Sequence, residues 1–182
     1  MEGVSEPKAK ILELLWRVEN PLGLREVSDR TGLKARSVNM HLFGLVSLGY
    51  ASKSEGGSYT ITESGKEAIG FPKVDVKFAE KVLSNMPQEK VFHFYSGIGQ
   101  PAGISSSSLV DFCDKVKTAD VKSVEFHMTR GDFERWVHSL GDVELAKRLR
   151  LIREEGPKGE ALRERLHGAL RSRCDRLLKE TC

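Results

Sequence analysis

Five residues in the second half of the chain are of the kinds that carry out acid–base chemistry: His93, His127, Arg130, Asp132 and His138. A histidine beside a carboxylate can act as a general base that the carboxylate orients. The sequence contains no serine or cysteine in a recognisable nucleophile elbow, and no pair of histidines at helical spacing with a third metal ligand. We therefore expect a protein that is not an enzyme and that uses no metal or cofactor.

Three of these residues lie close together, within the stretch EFHMTRGDFERWV. Thr129 and Asp132 have the spacing of a helix cap, which predicts a turn and a new helix over 133–141. Capping gives no reason for His127 to lie beside Arg130. We interpret His127, Arg130 and Asp132 as the candidate site for a small-molecule effector or a protein partner.

The segment SGIGQPAGISSSS, at 96–108, is rich in glycine and serine and follows an aromatic stretch at 91–95 that predicts a strand. We expect 96–108 to be a loop. It contains neither of the glycine-rich phosphate-binding motifs. Ser108 and Asp111 instead have the spacing of a capping box ahead of a helix. Capping is the favoured interpretation, and contact with a small molecule or an anion is the alternative.

The first seventy residues predict three helices followed by a hairpin. Apolar residues recur at helical spacing over 7–18 and 33–49, and a shorter helix over 24–32 ends at a glycine. The stretch at 50–62 alternates and has two adjacent glycines in its middle, which indicates a hairpin. A short helical piece at 61–70 follows.

Residues 7–70 resemble the winged helix-turn-helix domain of many bacterial and archaeal regulators. In that family a helix with the pattern His-Leu-x-x-Leu-x-x-x-Gly-Tyr precedes the hairpin, called the wing, and Thr-x-x-Gly follows it. The corresponding residues here run from His41 to Tyr50 and from Thr62 to Gly65. The resemblance implies a domain over 1–70 that binds double-stranded DNA, as part of a mainly α chain with a small β-hairpin wing.

The resemblance also implies which side chains contact DNA, because the third helix would enter the major groove and the wing would lie near the backbone. Basic side chains can contact phosphates or guanine, and asparagine can pair with adenine. Met40 and Glu55 depart from the pattern, since one is apolar and the other is negative near the wing tip. A protein-interaction scaffold that uses the winged helix without DNA is therefore the alternative. The implied DNA-binding residues are Lys34, Arg36, Ser37, Asn39, Met40, Lys53, Ser54 and Ser58.

The rest of the chain predicts a connecting helix or linker at 71–90 and a mostly helical domain at 91–182. Asp120 and Asp142 stand where caps are expected, and the last helix, 158–180, has a leucine-rich side. That side can form half of a homodimer interface or pack on its own domain. The predicted helices begin at 109, at the caps Asp120 and Asp142, at 133 and at 158; over 120–128 a strand is the alternative.

This second half resembles an archaeal helical domain of unknown function. Three stretches carry the resemblance: Ser108 to Phe112, His127 to Trp136, and Leu140 to Ala146. The family brings no established activity. Combined with the first half, it leads us to expect a transcriptional regulator whose second domain dimerises, senses an effector or recruits a partner.

Charge is distributed unevenly along the 182 residues, whose formal net charge is +3. Positions 1–70 carry nine basic and nine acidic residues, 71–146 carry nine and eleven, and 147–182 carry eleven and six. The three cysteines have no paired spacing, and the N-terminus lacks the apolar region of a secretory signal. We expect reduced thiols in a cytoplasmic protein that does not enter a membrane.

Overall fold

The computed structural model describes residues 4–181, which fall into two compact units with the boundary between Lys73 and Val74. The architecture is mainly helical, with two small antiparallel sheets of two strands each. Among the residues described, no helix is both long enough and apolar enough to cross a membrane.

Residues 4–73 of the first unit form four helices and one hairpin, in the chain order that the apolar spacing predicts. Each of the four predicted helices and the hairpin is confirmed. Its elements are α1 (Glu6–Val18), α2 (Leu24–Thr31), α3 (Ala35–Ser47), β1 (Ala51–Lys53), β2 (Tyr59–Ile61) and α4 (Glu63–Ala68).

A single apolar cluster holds the first unit together. It joins α1, α2, α3 and the hairpin, because each helix turns one apolar stripe inward. Leu22, between α1 and α2, also pairs with β2: its N–H donates to the Tyr59 carbonyl at 3.0 Å and its carbonyl accepts from the Tyr59 N–H at 2.9 Å. The buried members of the cluster are Ile11, Leu12, Leu15, Leu22, Val27, Val38, Leu42, Leu45, Ala51 and Tyr59.

The Thr-x-x-Gly motif after the hairpin has a clear physical role. Thr62 caps α4, since its hydroxyl accepts from the Gly65 N–H at 3.1 Å and donates to the Gly49 carbonyl at 2.6 Å. A β-carbon on Gly65 would lie 2.0 Å from the Tyr50 carbonyl oxygen. Only glycine therefore lets α4 pack this closely against the chain that leaves α3.

In the second unit, residues 74–181 form six helices, a short 3-10 turn and a second hairpin. Its elements are α5 (Val76–Leu83), the turn Gln88–Lys90, β3 (Phe92–Gly97), β4 (Gln100–Ser106), α6 (Leu109–Thr118), α7 (Val121–Arg130), α8 (Asp132–Leu140), α9 (Val143–Glu155) and α10 (Gly159–Glu180). The segment expected to connect two domains, 71–90, contains α5, and Ala79 and Val82 of that helix lie in the core of the second unit.

The strand predicted at 91–95 is confirmed as β3, but the prediction that 96–108 is a loop was wrong. Residues 100–106 form β4, which pairs antiparallel with β3 from Phe92 opposite Ser106 to Gly97 opposite Gln100. The pairing is irregular on both sides of Tyr95. Glycine and serine weaken the alternation that identifies a strand, but they do not prevent backbone pairing with an aromatic partner strand.

The predicted cap at Thr129 was also wrong. α7 continues through Arg130, and Gly131 ends it with a left-handed backbone at φ 70° before α8 begins at Asp132. Glycine adopts this conformation without the steric cost that other residues carry. Three other predicted caps are confirmed, because the side chains of Ser108, Asp120 and Asp142 each accept a backbone N–H at the start of a helix.

A buried group of charged side chains joins α10 to the start of α9. Asp142 is fully buried, and its two carboxylate oxygens accept from Arg173 at 2.5 and 2.8 Å. The Arg173 guanidinium also donates to Glu144 at 2.9 Å, and Arg176 donates to the same carboxylate at 2.5 Å. The Asp142 carboxylate also caps α9, through the Leu145 N–H at 3.0 Å.

Two of the three cysteines are free thiols buried where α6 packs on α10. Cys174 lies 3.9 Å from the Leu109 carbonyl oxygen and shares a side-chain hydrogen bond with Cys113, which lowers the pKa of Cys113 and raises that of Cys174. Cys182 lies outside the described residues.

Candidate functional site

The exposed side of α3 carries the side chains that the sequence assigns to DNA contact. Lys34 stands at the N-cap position, and Arg36 and Asn39 are exposed in the first two turns, while Ser37 is half-buried. The opposite side of the helix is buried through Val38, Leu42 and Leu45. The first half of α3 is thus a polar surface held on an apolar core.

The same side of α3 becomes apolar further along the helix. Met40 is 62% exposed and Phe43 is 75% exposed, and Val46 and Leu48 are also exposed. Large apolar side chains with this much exposure form a patch that water solvates poorly. Phe43, which is one turn beyond Met40, enlarges the surface that the sequence assigned.

The hairpin of the first unit uses two of its assigned residues, Ser54 and Ser58, to close its own turn. The Ser54 hydroxyl accepts from the Ser58 N–H at 3.2 Å, and the Ser54 N–H donates to the Ser58 carbonyl at 2.8 Å. Lys53 is exposed, and its ammonium group lies 5.6 Å from the centre of the Tyr59 ring. Of the hairpin residues assigned to DNA contact, Lys53 is the one with a charged side chain. Glu55 is also exposed, near the tip of the hairpin.

The second candidate site is built around His127, a buried residue of α7. Its Nε2 accepts from the Tyr95 N–H at 2.8 Å, and its Nδ1 lies 2.8 Å from the Asp132 carboxylate. Because Nε2 is an acceptor, the ring proton must be on Nδ1, which donates to Asp132. These two bonds specify a neutral imidazole in a single tautomer.

The environment of His127 favours this neutral form. Burial lowers the pKa of His127 below its ordinary value and outweighs the Asp132 carboxylate, whose hydrogen bond and charge act to raise it. The ring also packs edge-on against Phe92, with centroids 4.9 Å apart. A protonated ring would place an Nε2 proton against the Tyr95 N–H.

α7 holds Tyr95 by both of its main-chain groups. While His127 accepts the N–H, the Ser123 hydroxyl donates to the Tyr95 carbonyl at 2.9 Å. Tyr95 and Ser123 were missed by the sequence interpretation, since they lie 32 and four residues from His127 and neither belongs to a motif. With Nε2 occupied, His127 is placed to hold β3 rather than to act as a general base.

Asp132, the first residue of α8, contacts one arginine at the end of α7 and another on its own helix. Its carboxylate accepts from Arg130 Nε at 3.2 Å and also pairs with Arg135. The Arg130 guanidinium lies 5.2 Å from the centre of the Phe126 ring. The side chains of His127, Arg130 and Asp132 are thus brought together, as the sequence suggested.

An open groove of about 390 Å³ lies between α7 and the turn of the second hairpin. Of the five residues that an acid–base site would use, His138 does not line it. No cluster of three or more His, Cys, Asp or Glu side chains that could hold a metal ion occurs among residues 4–181. The groove is lined by Phe92, His93, Tyr95, Gly97, Ile98, Gly99, Phe126, His127, Arg130 and Asp132.

Comparison of the chain with known proteins finds no matching family model, no matching curated protein and no matching solved structure.

Proposed function

We propose that the protein binds double-stranded DNA through the exposed side of α3 and acts as a transcriptional regulator. The observation that carries the proposal is the first half of α3, where Lys34, Arg36 and Asn39 are exposed on a helix whose other side is buried. A helix of this kind fits the major groove, whose width accepts one α-helix.

The surrounding elements support a winged helix-turn-helix arrangement. Three helices precede a two-stranded hairpin, and Leu22, between α1 and α2, pairs with β2. In such domains the third helix reads the groove and the hairpin lies against the DNA backbone. Lys53 on β1 then supplies a backbone contact beside α3.

Each side chain on the proposed interface has a chemically suitable partner on DNA. Lys34 and Arg36 can neutralise phosphates or donate to guanine, and Asn39 can pair with adenine. Met40 and Phe43 are apolar groups that can contact the methyl group of thymine. The interface thus combines backbone contacts with contacts to base edges.

The number of cations sets the expected strength of binding. Lys34, Arg36 and Lys53 would release about three counterions, so the logarithm of the affinity should fall with a slope of roughly −3 against the logarithm of salt. Three cations in each copy would bind DNA weakly, which favours a homodimer, because two copies double the number of phosphate contacts. The second unit would supply dimerisation or effector sensing.

A salt series on the full-length chain with random duplex DNA tests the proposal. We expect affinity to fall steeply between roughly 50 and 200 mM salt. The double change Lys34→Ala and Arg36→Ala should weaken binding and reduce the slope by about two for each copy bound.

Lys10→Ala provides the matched control, because Lys10 is an exposed cation on α1 outside the proposed interface. It should leave both the affinity and the slope close to those of the unchanged protein. Absence of binding to any duplex at low salt would contradict the proposal, as would equal losses from the control and the α3 variant.

A protein-interaction scaffold is the second candidate, favoured by the exposed apolar patch of Met40, Phe43, Val46 and Leu48. If the patch binds protein rather than DNA, Phe43→Ser should change the oligomeric state measured by light scattering. In that case DNA would not bind at low salt. If α3 binds DNA, Phe43→Ser should weaken DNA binding and leave the oligomeric state unchanged.

A further inference from the structure

We propose that the groove beside Arg130 in the second unit binds a small organic carboxylate that carries an apolar group. This inference goes beyond the proposed DNA binding and does not depend on it, because every residue of the groove belongs to the second unit. It rests on the shape of the groove, on an available guanidinium group and on the charge around it.

The shape of the groove suits a small molecule. Its volume of about 390 Å³ lies within the range of about 300–1,000 Å³ that small-molecule sites occupy. One wall is the turn of the second hairpin, where Ile98 is 86% exposed. Phe126 of α7 also lines the groove, so an apolar ligand group would find aliphatic and aromatic side chains there.

Arg130 provides a suitable anion contact. Its Nε donates to Asp132 and its guanidinium lies over the Phe126 ring, which together restrain the side chain. Among the residues described, no hydrogen-bond partner is found for its Nη1 and Nη2 atoms, and the side chain is 50% exposed. Two parallel N–H donors match the two oxygens of a carboxylate.

The local charge favours a single negative charge on the ligand. Arg130 and Arg135 both pair with the one carboxylate of Asp132, which leaves a net charge of about +1 around it when His127 is neutral. A dianionic phosphate would carry one charge more than this and would lie near the Asp132 carboxylate. A monoanionic carboxylate balances the site.

Part of the groove wall is restrained by hydrogen bonds within the protein. Tyr95, which lines the groove, is held through its N–H by His127 and through its carbonyl by Ser123. A preformed wall lowers the ordering cost that a ligand must overcome on binding. The groove therefore does not need to fold around its ligand.

Nuclear magnetic resonance titration of the full-length chain tests the proposal with defined probes. Hexanoate and benzoate are compared with hexanamide and benzamide, which have similar shapes and no charge, and with inorganic phosphate. We expect saturable shifts of the Tyr95 amide and the Arg130 side chain with the two carboxylates. The amides should bind about tenfold more weakly or worse, since they lose the charge-assisted hydrogen bonds.

Variants of Arg130 supply the second arm of the experiment. Arg130→Gln should weaken carboxylate binding about tenfold, and Arg130→Lys should weaken it less, because the lysine keeps the charge but loses the planar pair of donors. Lys122→Gln removes the same charge from an exposed position on α7 outside the groove and should bind as the unchanged protein does. The dispersion of the amide spectrum establishes that each variant is folded.

The proposal would be overturned by shifts that do not saturate with any carboxylate, by equal binding of carboxylates and amides, or by unchanged binding in both Arg130 variants. Phosphate binding tighter than hexanoate would also overturn it, because the groove would then recognise charge alone. None of these measurements uses DNA, so their outcome is independent of the proposed function of α3.

Discussion

His127 shows how one imidazole can connect three parts of a fold. It accepts from Tyr95 of β3, donates to Asp132 of α8, and belongs itself to α7. Both ring nitrogens are satisfied only in the neutral form with the proton on Nδ1. The side chain therefore stabilises the second unit as long as it stays uncharged.

This role predicts a pH dependence of stability. Burial lowers the folded-state pKa of His127 below the ordinary value of 6.5, so the unfolded chain takes up the proton first as the pH falls. The stabilising contribution is complete above about pH 6.5 and is lost as the pH falls from there through the folded-state pKa. His127→Phe should cost roughly 1–3 kcal/mol at about pH 7.5, and the difference from the unchanged protein should shrink below pH 6.5.

Urea unfolding at several pH values measures this difference in free energy. His138→Gln is the control, since His138 is exposed and lies outside the groove. A difference that stays constant from pH 7.5 down to about pH 5 would contradict the neutral tautomer.

For these side chains the sequence predicted that they lie close together but did not predict their roles. His127, Arg130 and Asp132 lie within six positions of one another, so their proximity follows from local chain geometry. The partners that decide the role of His127 are a backbone N–H 32 positions away and the packing of β3 on α7. No local pattern reports a contact of that kind.

At the level of elements, hydrogen bonds between buried charged side chains connect α9 to α10. Arg173 is buried, and it bonds to Asp142, the cap of α9, and to Glu144 in the first turn. Because these side chains are withdrawn from water, removing Arg173 takes away the buried cation that both carboxylates share.

Arg173→Leu should therefore destabilise the second unit by about 3–5 kcal/mol in denaturant unfolding. Adding Asp142→Asn should recover part of this loss, because asparagine is uncharged and can still cap α9. The control is Arg171→Leu, an exposed residue paired with Asp175 on the same helix, which should cost no more than about 1 kcal/mol. A small effect of Arg173→Leu alone would show that the bonds from Arg173 to Asp142 and Glu144 contribute little to the free energy of unfolding.

The sequence predicted helices better than it predicted strands. Helical spacing and caps are local signals, and Asp142 and Ser108 both cap the helices that their spacing predicted. β4 was missed because its stability comes from pairing with β3, which composition does not report. The end of α7 was misplaced because a left-handed glycine at Gly131 replaced the predicted threonine cap.

At the level of the whole molecule, each unit has its own core and its own tryptophan. Trp16, on α1 of the first unit, is buried beside Phe71. Trp136 is buried in the core of the second unit, where its Nε1–H donates to the Lys90 carbonyl at 2.8 Å. The two buried clusters have no residue in common. Fluorescence can therefore follow each unit separately.

Leu42→Ala should destabilise the first unit by about 2–5 kcal/mol, because Leu42 is fully buried on α3. In a Trp136→Phe background, Leu42→Ala should lower the denaturant midpoint of the Trp16 fluorescence transition. In a Trp16→Phe background, the midpoint of the Trp136 fluorescence transition should not change. Equal shifts of both signals would show that the two units unfold as one.

The charge pattern also looks different in the folded chain. Positions 147–182 carry more basic than acidic residues, a pattern that by itself could favour contact with a DNA backbone. Arg173 and Arg176 are instead bonded to Asp142 and Glu144, which belong to the acidic segment before it. Part of the charge separation along the sequence is thus neutralised within the second unit, and composition alone could not have shown this.

The attachment of Tyr95 to α7 also bears on aggregation. A small hairpin exposes two strand edges, and an open edge can pair with another chain and start a fibril. On β3 the edge groups of Tyr95 are already occupied by Ser123 and His127. On β4, Pro101 has no N–H to offer to an incoming strand. The same contacts that order the groove therefore protect this hairpin from adding strands, and loss of His127 would open one of its edges.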